Sequence, residues 1–330
     1  MSLLGKKVLL FSPCFFNYEK LIANAIEAEG GIVHLYDERN NPSSLEKILL
    51  RKVSFLMSSK INKFYKDVCV KELDFQPDYI FFISPETVNK KSIINIKESF
   101  PKASLILYMY DSIENKNAKK IYNLFDSCFS FDPKDCNKYK FNFRPLFFCD
   151  DFEKDKENRD IEYKFSFIGS IHSDRAKILN KLRLEFESKD ISFYYYLFVP
   201  GKLMLFIRML LDRNIRQLLK KDMIHLKPID KKAVSEIARK TLYTIDINHP
   251  KQVGLTMRTI EMLGLQRKML TTNMNIANYD FYRNENQIII DRNDVKINFE
   301  SMSNEYKAID DNIYDRYNLE TWIKDIFSDE

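Results

Sequence analysis

The chain has 330 residues, of which 45% are hydrophobic and 14% aromatic. That is enough apolar material for two packed domains and too much for a disordered chain. The formal net charge of +5 does not require nucleic acid, and no nucleic-acid-binding motif occurs, while anionic small molecules and membrane surfaces remain compatible with it. Five scattered cysteines without a CxxC spacing, and four histidines that do not cluster with them, argue for reduced thiols and against a disulfide framework or a zinc site.

No apolar run approaches the ~18 residues of a membrane span, and the one after Lys7 is too short for a signal peptide. Residues 7–12 form a continuous apolar run ending in Ser-Pro, the pattern of a parallel strand buried on both faces. An amphipathic helix is predicted over 18–29, closed by Gly30-Gly31, and a strand over 32–36, ending at Asp37-Glu38-Arg39. Together they make a βαβ unit. Helical material continues over 44–72, and strands follow at 78–84, 104–110 and 127–131. The first half is thus an alternating α/β sheet, whose ligand side lies at the strand C-termini. The polar candidates there are Asn17, Tyr18, Glu19, Asp37, Asp111 and Asp132. Each has a plainer reading as a helix cap or a solvated charge.

Residues 150–160 are charged and poor in apolar side chains, which marks a linker. A second α/β unit begins at 163 with a strand ending at Gly169-Ser170, followed by a helix over 175–187 and an aromatic strand over 192–199. Residues 201–221 read as one helix, apolar and basic. Its plain interpretation is a core helix with a basic face; the other is a segment lying on a membrane surface. A short helix over 234–240 leads to a strand over 242–247. Asp246 sits inside that apolar run and needs either a partner or a place facing the ligand. Strands at 268–272 and 287–290 and an amphipathic helix at 318–327 complete the chain.

The most informative stretch joins the strands at 242–247 and 268–272. It holds His249, a glycine turn at Gly254, Thr256 as a helix N-cap, and a helix carrying Arg258, Thr259 and Glu261. A helix N-terminus just beyond a strand offers free N–H groups and a positive dipole end to a phosphate. Arg258 adds a planar fork of donors, and Glu261, about one turn further on, offers acceptors to hydroxyls. Phosphate donors beside a hydroxyl-reading carboxylate suit a nucleotide-sugar. The plain alternative is a capped helix with a solvated Arg and Glu. Gly169, Ser170, His172 and Arg175 form a second turn of this kind, where glycine lets backbone approach a ligand; it can equally be a tight strand-to-helix connection.

Residues 252–273, with 167–175 and the N-terminal runs 12–19 and 37–39, resemble the bacterial GT-B glycosyltransferases of the spore-maturation-like and capsule or lipopolysaccharide groups. The resemblance extends over most of the chain. Many retaining GT-B enzymes carry two glutamates eight positions apart; Glu261 matches the second, and Val253 stands at the first. The resemblance implies two Rossmann-like domains facing across a cleft: 1–155 for the acceptor, 156–315 for the donor, and 316–330 as a helix returning to the first domain. It implies a nucleotide-sugar donor held by Gly169, Ser170, Arg175, His249, Gly254, Thr256, Arg258, Thr259 and Glu261. It also implies a saccharide or lipid-linked saccharide acceptor, no metal or other cofactor, no nucleic-acid partner, and a cytoplasmic place, peripheral at the inner membrane face if 202–221 takes its membrane reading. Asp111, and after it Glu19, are the candidates for a base that deprotonates the acceptor hydroxyl. A sugar-nucleotide epimerase or hydrolase, and a non-catalytic nucleotide-sugar-binding protein, are the other functions compatible with these residues.

Overall fold

The computed structural model describes residues 3–14, 17–39, 58–113, 117–154 and 160–328. The chain divides into two compact units, one of Met1–Leu146 with Leu319–Glu330, the other of Phe147–Asn318.

In the first unit, strands β1 (Lys7–Phe11), β2 (Ile32–Tyr36), β3 (Tyr79–Ile83), β4 (Ser104–Met109), β5 (Ser127–Ser130) and β6 (Asn142–Phe143) make one parallel sheet in the order β2-β1-β3-β4-β5-β6. Helices α1 (Tyr18–Ala28), α2 (Ser58–Lys71), α3 (Lys90–Ser99) and α4 (Pro133–Tyr139) connect it. The apolar runs of β1, β3 and β4 become strands buried on both faces, and every residue of β3 is buried. Of the predicted helical stretch 44–72, the part before Ser58 lies outside the described residues.

In the second unit, β7 (Tyr163–Ser170), β8 (Phe193–Phe198), β9 (Ile224–His225), β10 (Thr241–Asp246), β11 (Lys268–Thr271) and β12 (Gln287–Ile289) form a parallel sheet in the order β12-β11-β10-β7-β8-β9. Its helices are α5 (Arg175–Ser188), α6 (Lys202–Leu211), α7 (Arg213–Leu219), α8 (Lys231–Arg239), α9 (Met257–Gly264) and α10 (Asp311–Arg316). The last helix, α11 (Leu319–Ile326), packs on α1 in the first unit. There Trp322 is fully buried, its ring centroid 4.7 Å from that of Tyr108.

Two expectations about segments change. The single helix over 201–221 is two helices, broken at Asp212, whose extended backbone and carboxylate cap α7 by accepting from the Asn214 N–H at 2.8 Å. The core-helix reading fails for α6, none of whose residues is buried. Apolar side chains occupy most of its circumference, and only the arc of Leu205 and Met209 packs against the core. The two units divide between residues 146 and 147. The charges of Asp150 and Asp151 mark solvent-facing positions, while Phe147, Phe148 and Phe152 beside them are buried. Residues 155–159 are outside the described part.

Candidate functional site

In the second unit β7 is the first strand and β10 the fourth, and they lie side by side. The chain therefore leaves them toward opposite edges of the sheet, which opens a crevice beyond their C-terminal ends, the switch point at which such sheets bind ligands. Gly169 and Ser170 end β7 and His172 follows it, Asp246 ends β10, and Asn248 and His249 follow that strand. The turn candidates read from the sequence thus lie at one end of one crevice.

Arginines tie the two strand ends together. Arg175, at the first position of α5, donates from Nε to the Ile247 carbonyl at 2.8 Å and from NH1 to the Ser170 carbonyl at 3.0 Å. Burial, with the nearby Arg258 and Arg292, lowers its pKa to about 10, against the pull of Asp246 and Asp174; it stays charged at neutral pH. Arg258, in the first turn of α9, donates to the Ile168 carbonyl and to the Glu261 carboxylate, both at 3.2 Å. Gly169 permits this crowding: a Cβ there would stand 3.2 Å from the Phe167 ring and 3.5 Å from Arg175 NH1. Thr256 is the N-cap of α9, its hydroxyl accepting from the Thr259 N–H. The turn before it is pinned: Gln252 Nε2 donates to the Gly254 carbonyl at 2.9 Å, and Asn273 Nδ2 to the Val253 and Gly254 carbonyls. Gly254 sits at a bend and has no positive φ. Asp246 finds the partner its burial demands: the Thr259 hydroxyl donates to it at 3.1 Å.

Glu261 is buried, and its carboxylate meets Arg258. The pair fixes the plane of the guanidinium at the helix start. Residues missed from the sequence include Arg292, two positions beyond residue 290. It donates to Asp174 Oδ1 at 2.6 Å, to the Asn248 carbonyl and side-chain oxygen at 2.6 Å each, and to Thr272 Oγ1 at 3.0 Å. Asn248 and Asn273 are the others. The available signal was position: each directly follows or nearly follows a strand.

Burial, together with Arg175, His249 and Arg208, pushes the His172 imidazole down from 6.5 to about 4. His249 is exposed, its ring centroid 6.0 Å from that of His172. At neutral pH His172 therefore adds no positive charge to this edge. Because the folded pKa lies below the unfolded one, His172 contributes stability that is present above about pH 6.5 and is lost as pH falls toward about 4. Urea midpoints of the parent are expected to fall more steeply across that window than those of His172→Asn. Parallel curves for the two would show that His172 is not held neutral.

In the first unit the switch point lies between β1 and β3. Asp111 follows β4 and is exposed. Glu19 is buried in the first turn of α1, within electrostatic reach of Cys14 and Tyr110. Asp132 is a helix cap, accepting from the Lys134 N–H at 2.9 Å, and Asp37 accepts from the Arg39 N–H. Glu38, buried, accepts from the Thr87 N–H and hydroxyl and from the Tyr65 hydroxyl, and so joins the turn after β2 to the one after β3. Ser84, at φ 40°, was not anticipated; its hydroxyl accepts from the Tyr110 N–H at 2.5 Å. Among the described residues no group of three His, Cys, Asp or Glu is placed to hold a metal ion, and no helix is long and apolar enough to cross a membrane.

No protein-family model matches the chain, and no curated protein matches it. Solved structures do. A glycosyltransferase from Rickettsia africae is 11% identical with a TM-score of 0.63, over 97% of this chain and 96% of that one. An Escherichia coli trehalose-6-phosphate protein bound with UDP-2-fluoro glucose is 11% identical with a TM-score of 0.59, over 97% of each chain. Anabaena HepE in complex with UDP and glucose is 10% identical with a TM-score of 0.54, over 98% and 95%. At these identities the likeness is one of fold: two Rossmann-like α/β domains of the GT-B class.

Proposed function

We propose that this protein is a glycosyltransferase that moves a sugar from a nucleotide-sugar to a saccharide or lipid-linked saccharide acceptor of a surface polysaccharide. The observation that carries the reading is the β7/β10 switch point. Arg175, Arg258 and Arg292 converge there beside the N-terminus of α9. Such a set suits a diphosphate. The likeness in fold to proteins whose structures hold UDP with glucose, or UDP-2-fluoro glucose, supports a nucleotide-sugar as the ligand. The capsule or lipopolysaccharide acceptor comes only from the resemblance of residues 252–273, 167–175, 12–19 and 37–39.

In this reading the second unit holds the donor and the first the acceptor. The acceptor oxygen attacks the anomeric carbon, the bond from that carbon to the diphosphate breaks, and the acceptor proton passes to a carboxylate. Arg258, Arg175 and the α9 dipole balance the charge that grows on the leaving diphosphate. Turnover is therefore expected to persist in excess EDTA. Asp111 is the first choice of base because it is exposed beyond a strand end; Glu19 is the second.

Thermal-shift measurement with UDP, GDP, CMP and TDP sugars tests the donor assignment: at least one is expected to raise the melting temperature. Asp111→Asn is expected to abolish transfer, a loss of about 100-fold or more, while donor affinity changes little. Full transfer by Asp111→Asn would remove it as the base. Release of free nucleotide without any acceptor would favour the epimerase or hydrolase reading, and binding without turnover a non-catalytic one.

A further inference from the structure

Helix α6 reverses the usual arrangement of a surface helix. Leu205 and Met209 pack toward the core, and Arg208 NH1 donates to the Ile171 carbonyl. The outward side is apolar: Leu203, Met204, Phe206, Ile207, Leu210 and Leu211 are exposed by 73, 42, 57, 43, 65 and 82%. At about 100° per residue, these six fall on one unbroken arc of roughly 160°. A contiguous apolar patch of this kind marks an interaction surface.

Charge indicates what covers it. Between residues 202 and 221 stand six cations against the one carboxylate of Asp212, an excess of five, which equals the formal net charge of the whole chain, +5. Lys202, Arg213, Arg216 and Lys220, at the helix ends and along α7, are exposed. A second copy laid on this helix would bring cation against cation. An anionic lipid surface answers both features, since its acyl boundary accepts the apolar arc and its headgroups the cations. We propose that α6, with the cations of α7, is the seat of this protein on anionic membranes.

The place in the fold gives the seat a use. Helix α6 begins shortly after β8 and so lies at the C-terminal edge of the sheet, and Arg208 fastens it to Ile171, the first residue after the Gly169-Ser170 end of β7. The seat brings the donor edge of the second unit to the lipid surface, where a lipid-linked acceptor resides. This last step rests on the transferase reading; the membrane contact does not.

Flotation with vesicles of equal parts phosphatidylglycerol and phosphatidylcholine, against phosphatidylcholine alone, tests the proposal. The parent is expected to float with the mixed vesicles, to bind the zwitterionic ones at least about tenfold more weakly, and to be released as salt rises. Leu203→Gln/Phe206→Gln/Leu210→Gln is expected to lower partitioning at least about tenfold, with melting temperature and donor binding unchanged because these side chains are exposed. Absence of parent binding, equal binding to both vesicle types, or undiminished binding by the triple variant would each overturn the proposal. So would a parent dimer that the triple variant makes monomeric, for the arc would then be a protein interface. Vesicle binding without transfer to any acceptor would remove the transferase reading and leave this one standing.

Discussion

Arg258→Ala is expected to weaken nucleotide-sugar binding about 100-fold and to reduce transfer by at least as much. The guanidinium is held flat between the Ile168 carbonyl and the Glu261 carboxylate. Those bonds use two of its five N–H donors, and both partners belong to elements that border the β7/β10 crevice. A fork fixed in this way meets a diphosphate without losing side-chain entropy on binding. Losing it removes charge-assisted bonds worth about 1.5–3 kcal/mol each. Truncation also takes the arginine from a buried carboxylate, so Arg258→Ala/Glu261→Ala is the control: it removes that acid as well and should recover melting temperature without recovering donor affinity. Arg258→Lys, which keeps charge but not the fork, should fall between parent and alanine variant. Donor affinity within about threefold of the parent in a folded Arg258→Ala protein would exclude this helix as the phosphate side of the site.

Gly264→Ala is expected to destabilise the second unit by about 3 kcal/mol. In an ordinary helix the same change stabilises, by up to about 1 kcal/mol, so the sign alone is diagnostic. Here a Cβ would stand 2.3 Å from the Phe152 carbonyl oxygen and 2.5 Å from Phe148 Cγ. Neither is the free end of a flexible chain. The carbonyl belongs to backbone, and Phe148 and Phe152 are fully buried. The Gly264 carbonyl also accepts from the Tyr314 hydroxyl at 2.9 Å, which holds α9 at its far end. To accept a methyl group the helix must move away from the 147–152 segment, and its first turn carries Arg258. Loss of stability should therefore come with weakened donor binding. Unchanged or raised urea midpoints would show that α9 does not pack as described.

The strands were legible because a strand buried on both faces is a continuous apolar run, and 79–83 or 104–109 can be little else. The turn at 254–261 was legible because capping and glycine chemistry is local: Thr256 does cap its helix. Arg292 was not, since its partners lie 118, 44 and 20 positions away and only the sheet order brings them together. The depth of Glu261 was not either; its position on the helix is readable, but what packs over it is not. Near 150 the charge of Asp150 and Asp151 was legible, while the burial of Phe147, Phe148 and Phe152 beside them was not, since it depends on residues distant in sequence. For α6 the apolar period was plain, and periodicity carries no information on whether the other side of the contact is protein or something else.

The return of α11 to the first unit has a consequence for how the protein is made. Strand β3 presents Phe81, and β4 presents Tyr108, to Trp322, while Phe327 stands edge-on to Tyr79 and Phe81. Arg144 pairs with Asp325 at 2.9 Å, and Lys324 with Glu29 at 3.3 Å. On a ribosome, the sheet of the first unit emerges before any of the second, yet the residues that close one of its faces come after all of it. The domain begun first is finished last. During synthesis its aromatic face waits uncovered while the second unit folds on its own, and this interval, rather than either sheet alone, is where a nascent chain is most open to chaperones and to aggregation.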